Sequence, residues 1–96
     1  MSYKLNFLPS ALKEWEKLDY SIKVLFKKKL STILVNPCIP ENRLRNMPDC
    51  YKIKLKDAGY RLVYEVNESE IIVLVISVGR RDKFLVYKNA LKRFRI

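Results

Sequence analysis

Residues 51–66 of the chain read YKIKLKDAGYRLVYEV. Apolar and charged residues alternate on both sides of the centre of this stretch, which is typical of two strands that are each buried on one face. The central residues 56–59, with Asp57 and Gly59, have the composition of a turn. The stretch therefore predicts a β-hairpin that contributes one apolar face to a core.

One hairpin register places both apolar sets on the same side of the sheet, because directly opposed residues share a face. In that register Leu55 is opposite Tyr60, Ile53 is opposite Leu62, and Tyr51 is opposite Tyr64. The other face then carries Lys52, Lys54 and Arg61, with Lys54 directly opposite Arg61. Like charges that face each other across a strand pair are destabilising, so this cluster of cations requires an explanation.

Two explanations fit the three cations. Hydration alone is sufficient on an exposed sheet face, which is the common case for a basic protein. Alternatively, the cations form a phosphate site, in which arginine offers a planar pair of donors and lysine a point charge. Neighbouring cations also push the pKa of a lysine downward, which makes the amine available as a base near neutral pH.

The periodicity of the remaining sequence predicts further strands and helices around the hairpin. Strands are expected at 2–8 and 70–78, and helices after Ser10, at 20–34 and at 82–94. Ser10 and Asp82 are the expected N-caps, and Leu12 and Leu85 the first apolar contacts of their helices. The order β-α-α-β-β-β-α corresponds to an α+β fold in one domain, residues 1–96, with a largely antiparallel four-stranded sheet, two N-terminal helices packed on it and a C-terminal helix.

The charge of the chain is large and localised. The 96 residues include 20 Lys and Arg, 10 Asp and Glu and no histidine, which gives a formal net charge of +10. The excess positive charge lies in two segments. Residues 43–61 include six basic and two acidic residues, and residues 80–96 include seven basic residues and one acidic residue. Localised positive charge is typical of a surface that binds a polyanion. The absence of histidine excludes any mechanism that uses imidazole as acid, base or metal ligand.

The two cysteines, Cys38 and Cys50, have neither the number nor the spacing of a disulfide framework or a zinc site. We therefore expect reduced thiols, as in a cytoplasmic protein. The sequence contains no recognisable signal peptide and no apolar run of membrane-spanning length. We expect a cytoplasmic location and no membrane partner.

Four stretches carry a family resemblance: residues 44–55 (LRNMPDCYKIKL), 59–64 (GYRLVY), 75–81 (VISVGRR) and the pair Val86-Tyr87. Together they resemble the RelE family of toxins from bacterial type II toxin–antitoxin systems. The resemblance extends over nearly the whole chain and is closer to RelE proper than to the wider RelE/ParE superfamily. It implies the RelE-like microbial ribonuclease fold and a ribosome-dependent endoribonuclease (mRNA interferase) that cuts mRNA in the ribosomal A site and stops translation.

The resemblance also implies the partners. These are a RelB-type antitoxin protein that neutralises the toxin, the 70S ribosome with its 16S rRNA, and mRNA as substrate. Operator DNA is expected to be bound only by the toxin–antitoxin complex. No cofactor is implied.

Carried over position by position, the resemblance assigns catalytic roles to Lys52, Lys54, Arg61, Arg81 and Tyr87. The lysines match the catalytic lysines of the family, the arginines match its phosphate-stabilising arginines, and the tyrosine matches one that stacks on or orients a nucleotide. Packing of the last helix onto the sheet is the alternative role of Tyr87. Contact with RNA or the ribosome is expected of eight further basic residues in the two charged segments: Arg43, Arg45, Lys56, Arg80, Lys83, Lys88, Lys92 and Arg93.

Cleavage of RNA by its own 2′-OH needs a base, a group that neutralises the phosphorane, and an acid for the departing 5′-oxygen. The candidates are Lys52 or Tyr87 for the base, Arg61 and Lys54 for the phosphorane, and Arg81 or Lys54 for the 5′-oxygen. We expect no metal, because the carboxylate cluster of a magnesium site is absent from the sequence. Lysine, arginine and tyrosine are poor acids and bases at neutral pH. We therefore expect the ribosome to hold the RNA in the reactive geometry.

Two alternatives to a ribonuclease remain at this point. One is a ParE-like toxin that inhibits DNA gyrase, although such toxins generally lack this set of lysines, arginines and tyrosine. The other is a non-catalytic nucleic-acid-binding module, which would need the charge but not the clustered lysines.

Overall fold

The computed structural model describes residues 2–94, except the side chain of Lys83. Its elements are β1 (Lys4–Phe7), α1 (Pro9–Glu16), α2 (Tyr20–Ile33), β2 (Cys50–Leu55), β3 (Tyr60–Asn67), β4 (Ile72–Arg80) and α3 (Leu85–Phe94). Short 3-10 turns at Pro40–Asn42 and Asp82–Phe84 precede β2 and α3. The predicted order β-α-α-β-β-β-α is confirmed. Within residues 2–94, no helix has the length and apolar character needed to cross a membrane.

Within the described residues the strands form one four-stranded sheet in the order β1-β4-β3-β2. β2, β3 and β4 are antiparallel, as consecutive strands joined by short turns predict. β1 joins the far edge parallel to β4, with Lys4 opposite Ile72. The α+β prediction is confirmed, with the refinement that the sheet is mixed. The helices and the hairpin between β1 and β4 provide the long connection that a parallel pair requires.

The predicted hairpin register is confirmed at each predicted pair. The observed pairs are Tyr51–Tyr64, Lys52–Val63, Ile53–Leu62, Lys54–Arg61 and Leu55–Tyr60. In the connecting turn, Gly59 has a φ of 72°, a left-handed conformation that glycine adopts without a steric penalty. The alternation of side chains and one glycine in the turn thus determine which face the cations occupy.

Helices cover both faces of the sheet. The first core, under α1 and α2, includes Phe26, Leu30, Ile53, Leu62 and Tyr64. The second core, under α3, consists of Met47, Cys50, Val63, Ile76, Val86 and Ala90. Since β4 lies between two strands and two helical layers, it is buried on both faces, as its continuous apolar sequence predicts. The cationic face is therefore partly covered by α3.

Both predicted helix caps are wrong. α1 begins at Pro9, whose fixed φ suits the first helical position, so Ser10 lies inside the helix. Asp82 opens a 3-10 turn, and α3 begins only at Leu85. The carboxylate of Asp82 lies 3.3 Å from Nε of Arg80 and caps no helix.

The apolar faces of these two helices are shifted accordingly. Leu12 and Leu85, which we expected to be buried, are 41% and 57% exposed, whereas Ala11 and Val86 are buried. β4 also begins two residues later than predicted, because Ile71 completes the preceding turn with a φ of 58°.

Candidate active site

The β2–β3 hairpin places Lys52, Lys54 and Arg61 on the sheet face that α3 partly covers. Lys52 and Lys54 are half-buried and project from β2, which is an edge strand. Arg61 opposes Lys54 from β3 and is only 8% exposed. These three residues, called here the cationic cluster, form a patch beside α3 where like charges are held close together.

Arg61 is a buried cation that is held by carbonyl groups. Its Nη1 donates a hydrogen bond to the Tyr60 carbonyl oxygen at 2.8 Å and lies 3.5 Å from the Leu55 carbonyl oxygen. No carboxylate of residues 2–94 lies within ion-pair distance of this guanidinium. Because burial of a charge is costly unless it is paired, the site favours an anion, and a phosphate matches the planar donors of arginine.

Neighbouring charges perturb Lys54. The positive charge of Lys52 is the main cause that lowers the pKa of Lys54, and desolvation, Lys56 and Arg61 act in the same direction. A lysine with a lowered pKa releases its proton more readily, so Lys54 is suited to proton transfer. In the folded state the charged form is disfavoured. The repulsion therefore destabilises the fold at neutral pH and is relieved as the pH rises from the lowered pKa to the ordinary value.

Open space lies beside Arg61 on β4. Gly79 is the residue opposite Arg61, and a Cβ atom added to it would meet nothing within 4 Å beyond its chain neighbours. Arg81 follows directly after β4, and its N–H donates to the Gly59 carbonyl oxygen at 2.9 Å. The side chain of Arg81 is exposed. Arg81 is thus placed at the turn end of the hairpin, where a substrate has room to enter.

α3 brings Tyr87 to the cationic cluster. The buried hydroxyl of Ser77 on β4 donates to the Val86 carbonyl oxygen at 2.7 Å and fixes the start of the helix. Burial raises the pKa of the half-buried Tyr87 phenol, while the positive charge of the nearby Arg61 acts in the opposite direction. The phenol therefore lies beside Arg61 and stays protonated at neutral pH, which makes it a hydrogen-bond donor.

A second feature adjoins the cationic cluster. A cleft of about 280 Å³, called here the aromatic cleft, lies between residues 44–47 and α3, and Phe84 and Tyr87 line it. Phe84 is 66% exposed and has a φ of 56°. A left-handed backbone costs about 1–2 kcal/mol at a residue other than glycine. The only sequence signal for Phe84 is its spacing of three residues from Tyr87, which is common in helices without any functional meaning.

The other basic residues predicted to bind RNA or the ribosome differ in their surroundings. Five are exposed, namely Arg43, Arg45, Lys56, Lys88 and Lys92. Arg80 is exposed as well, but it contacts Asp82, and its guanidinium carbon lies 5.7 Å from the centre of the Tyr60 ring. The side chain of Lys83 lies outside the described residues.

Arg93 is engaged inside the fold. Its Nη1 and Nη2 lie 2.8 and 3.1 Å from the two carboxylate oxygens of Glu14, and Nη1 also donates to the Ile76 carbonyl oxygen at 2.8 Å. Glu14 accepts a further hydrogen bond from the Val78 N–H at 3.1 Å. This arrangement, called here the clasp, ties α3 to α1 and β4. The predicted contact of Arg93 with RNA would require the clasp to open.

The sequence model of the family described as ParE toxin of type II toxin–antitoxin system, parDE, matches residues 5–83. The chain belongs to this toxin family. Within the family it is close to RelE, because it is 53% identical over 93 residues to the mRNA interferase toxin RelE of Escherichia coli strain K12. The match covers 97% of this chain and 98% of that protein.

Solved structures of RelE share the fold of this family member. A double arginine-to-alanine mutant of E. coli RelE in the free state superposes with a TM-score of 0.89 at 52% identity, over 97% of this chain and 98% of that chain. A chain of the intact E. coli RelBE toxin–antitoxin complex superposes with a TM-score of 0.81 at 53% identity, over 82% of this chain and 96% of that chain. The predicted relationship to RelE and the predicted RelE-like fold are confirmed.

Proposed function

We propose that this member of the family is the toxin of a type II toxin–antitoxin system and an endoribonuclease that cuts mRNA in the ribosomal A site. The observation that carries this proposal is the buried Arg61, which has no carboxylate partner among residues 2–94 and is flanked by Lys52 and Lys54 on the sheet face that α3 partly covers. Such a site has the charge and donors for a phosphate. Support also comes from the 53% identity to a protein named an mRNA interferase.

The proposed reaction is attack by the 2′-oxygen of RNA on the adjacent phosphorus. The bond from phosphorus to the 5′-oxygen breaks, which leaves a 2′,3′-cyclic phosphate and a 5′-OH. Arg61 neutralises the charge of the phosphorane, since its fixed donors require no reorganisation during the reaction. Arg81, at the entrance of the site, holds the phosphate from the exposed side.

Two protons move in this reaction. Lys54 donates one to the departing 5′-oxygen, because its lowered pKa makes it a better acid than an ordinary lysine. Lys52 accepts the proton of the 2′-OH. The raised pKa of Tyr87 argues against a phenolate base and favours a role for this residue in orienting the nucleotide.

Dependence on the ribosome follows from this weak acid–base pair. Two lysines transfer protons poorly at neutral pH, so most of the rate must come from a substrate held in the reactive shape. A cleft of about 550 Å³ between α2 and β2, lined in part by Lys28, Lys29, Lys54 and Lys56, extends positive charge away from the cationic cluster. This surface is suited to the phosphate backbone of 16S rRNA.

The proposed partners include a RelB-type antitoxin, since the E. coli relative has been solved in a toxin–antitoxin complex. In this proposal, operator DNA is bound by the complex of this toxin with its antitoxin and not by the toxin alone. A toxin that acts on ribosomes works in the cytoplasm.

The test is cleavage of a defined message, both free and on programmed ribosomes, by the wild type and by a Lys52→Ala, Lys54→Ala, Arg81→Ala variant. We expect cleavage only on ribosomes, and none by the variant. A Lys4→Ala, Lys13→Ala, Lys17→Ala variant is the matched control, because it removes the same charge from exposed positions outside the cationic cluster and both clefts. Equally efficient cleavage of free RNA would contradict the role of the ribosome, and loss of ribosome binding in step with cleavage would make the three residues docking residues.

The description of the matching family also names ParE toxins, so a gyrase supercoiling assay belongs beside the cleavage assay. Inhibition of supercoiling without RNA cleavage would replace the proposed nuclease with a gyrase toxin. RNA binding without either activity would leave a nucleic-acid-binding module.

A further inference from the structure

Phe84 combines three properties that packing does not explain. Its side chain is 66% exposed, its backbone has a φ of 56°, and its ring lies 6.4 Å from the Tyr87 ring at an interplanar angle of 38°. Glycine adopts such a φ freely, yet a bulky aromatic residue occupies the position. Strained residues of this kind cluster at ligand-binding sites, where the strain is part of the function.

The chemistry of the aromatic cleft indicates what it binds. Its floor is apolar and consists of Leu44, Met47 and Leu91, and its rim carries the cations Arg45 and Lys88. Aromatic side chains beside a positively charged rim are the usual surface for an unpaired nucleobase with its phosphate. The volume of about 280 Å³ lies near the lower end of small-molecule pockets, which suits a single planar ring system.

Tyr87 lies between the aromatic cleft and the cationic cluster. Its phenol lies beside Arg61, and its ring lines the aromatic cleft. A nucleotide with its phosphate on the cationic cluster would therefore have a neighbouring base within reach of the cleft.

We propose that Phe84 is a specificity-determining residue, which stacks on the nucleobase next to the cleaved phosphate where that base lies in the aromatic cleft. The inference rests on the proposed ribonuclease function and adds a residue outside the cationic cluster. Stacking discriminates by ring size and overlap, so purines and pyrimidines bind the cleft unequally.

The experiment couples a protein change to an RNA change. Wild type, Phe84→Gly and Phe84→Leu are assayed on ribosome-bound messages that carry an abasic nucleotide at each of the three codon positions in turn. Phe84→Gly removes the ring and the backbone strain together, whereas Phe84→Leu keeps the bulk and removes only the aromatic surface. On the intact message both should lower kcat/KM by about 5- to 150-fold, the range that base–aromatic stacking gives on alanine substitution.

When the abasic nucleotide stands at one particular codon position, the wild type should lose as much kcat/KM as the Phe84 variants lose on the intact message. On that abasic message the Phe84 variants should be no slower than the wild type. Phe84→Tyr should keep the wild-type rate and base preference. The matched control is Tyr20→Ala, an aromatic side chain on α2 that is 79% exposed; its rates should stay within about twofold of wild type. The melting temperature of Phe84→Gly should not fall, because the strain is removed.

Independent losses at all three positions would overturn the inference while the ribonuclease function stands. So would an unchanged rate and base preference in both variants together with weaker antitoxin binding, because the cleft would then be a docking site for a protein. Failure of the wild type to cut any message would instead refute the proposed function itself.

Discussion

Replacing Glu14 with alanine should destabilise the fold through the clasp. The carboxylate accepts three hydrogen bonds, two from the Arg93 guanidinium at 2.8 and 3.1 Å and one from the Val78 N–H at 3.1 Å. The Glu14 and Arg93 side chains are 26% and 19% exposed, so water replaces these bonds only in part. The substitution leaves a half-buried guanidinium without its counter-charge.

Hydrogen bonds to charged groups contribute about 1.5–3 kcal/mol, and partial exposure leads us to expect a total loss of about 2–3 kcal/mol for Glu14→Ala. In a domain of this size each kcal/mol lowers the melting temperature by about 4–8 °C, which gives an expected fall of about 8–24 °C. Lys13→Ala is the matched control on the same helix, because the Lys13 side chain is exposed.

The assay is a double-mutant cycle on thermal and urea unfolding with Glu14→Ala, Arg93→Ala and the double variant. We expect a coupling free energy of about 1–2 kcal/mol, as for residues in one ion-pair network. A coupling free energy below about 0.5 kcal/mol would refute the clasp as an energetic unit, even if both single variants were destabilised.

Three further experiments test the cationic cluster, the space beside Arg61 and the burial of the second core. Lys54→Met should raise the melting temperature while it abolishes cleavage, since it removes the like charge opposite Arg61; a lower melting temperature would contradict the repulsion. Gly79→Val should fold normally, because a Cβ meets open space and valine favours strands. The valine side chain should nevertheless fill the space beside Arg61 and slow cleavage. A wild-type cleavage rate would show that the substrate does not use this space. Burial raises the pKa of the Cys50 thiol to about 12, so alkylation of the native protein followed by peptide mass spectrometry should label the half-buried Cys38 first, and equal labelling would contradict the burial of Cys50.

The sheet could be predicted from local sequence because its determinants are local. Alternating side chains in residues 51–66 and the turn at Gly59 leave one register that buries both apolar sets, and the structure has that register. The predicted helix start at Ser10 is wrong for an equally local reason. Ser10 has the side chain of a cap, but Pro9 already satisfies the first helical position.

The site could be predicted only in part. The hairpin register predicts the cationic cluster. Arg81 and Tyr87 lie 20 or more residues after Arg61, and only the family resemblance identifies them as site residues. The clasp joins residues 79 positions apart, and no periodicity connects Glu14 to Arg93. The exposure and backbone of Phe84 depend on how α3 docks on β4, which is a tertiary property.

In the proposed mechanism, the cationic cluster promotes attack by the 2′-OH of the RNA itself. The most direct measurement is single-turnover cleavage of a ribosome-bound message that carries one 2′-deoxynucleotide at the cleaved position, compared with the same message in all-ribose form. We predict that the ribose message yields a 2′,3′-cyclic phosphate and a 5′-OH, and that the deoxy message is not cut at that position. Cleavage of both messages at the same rate would contradict this mechanism, because the nucleophile would then be water.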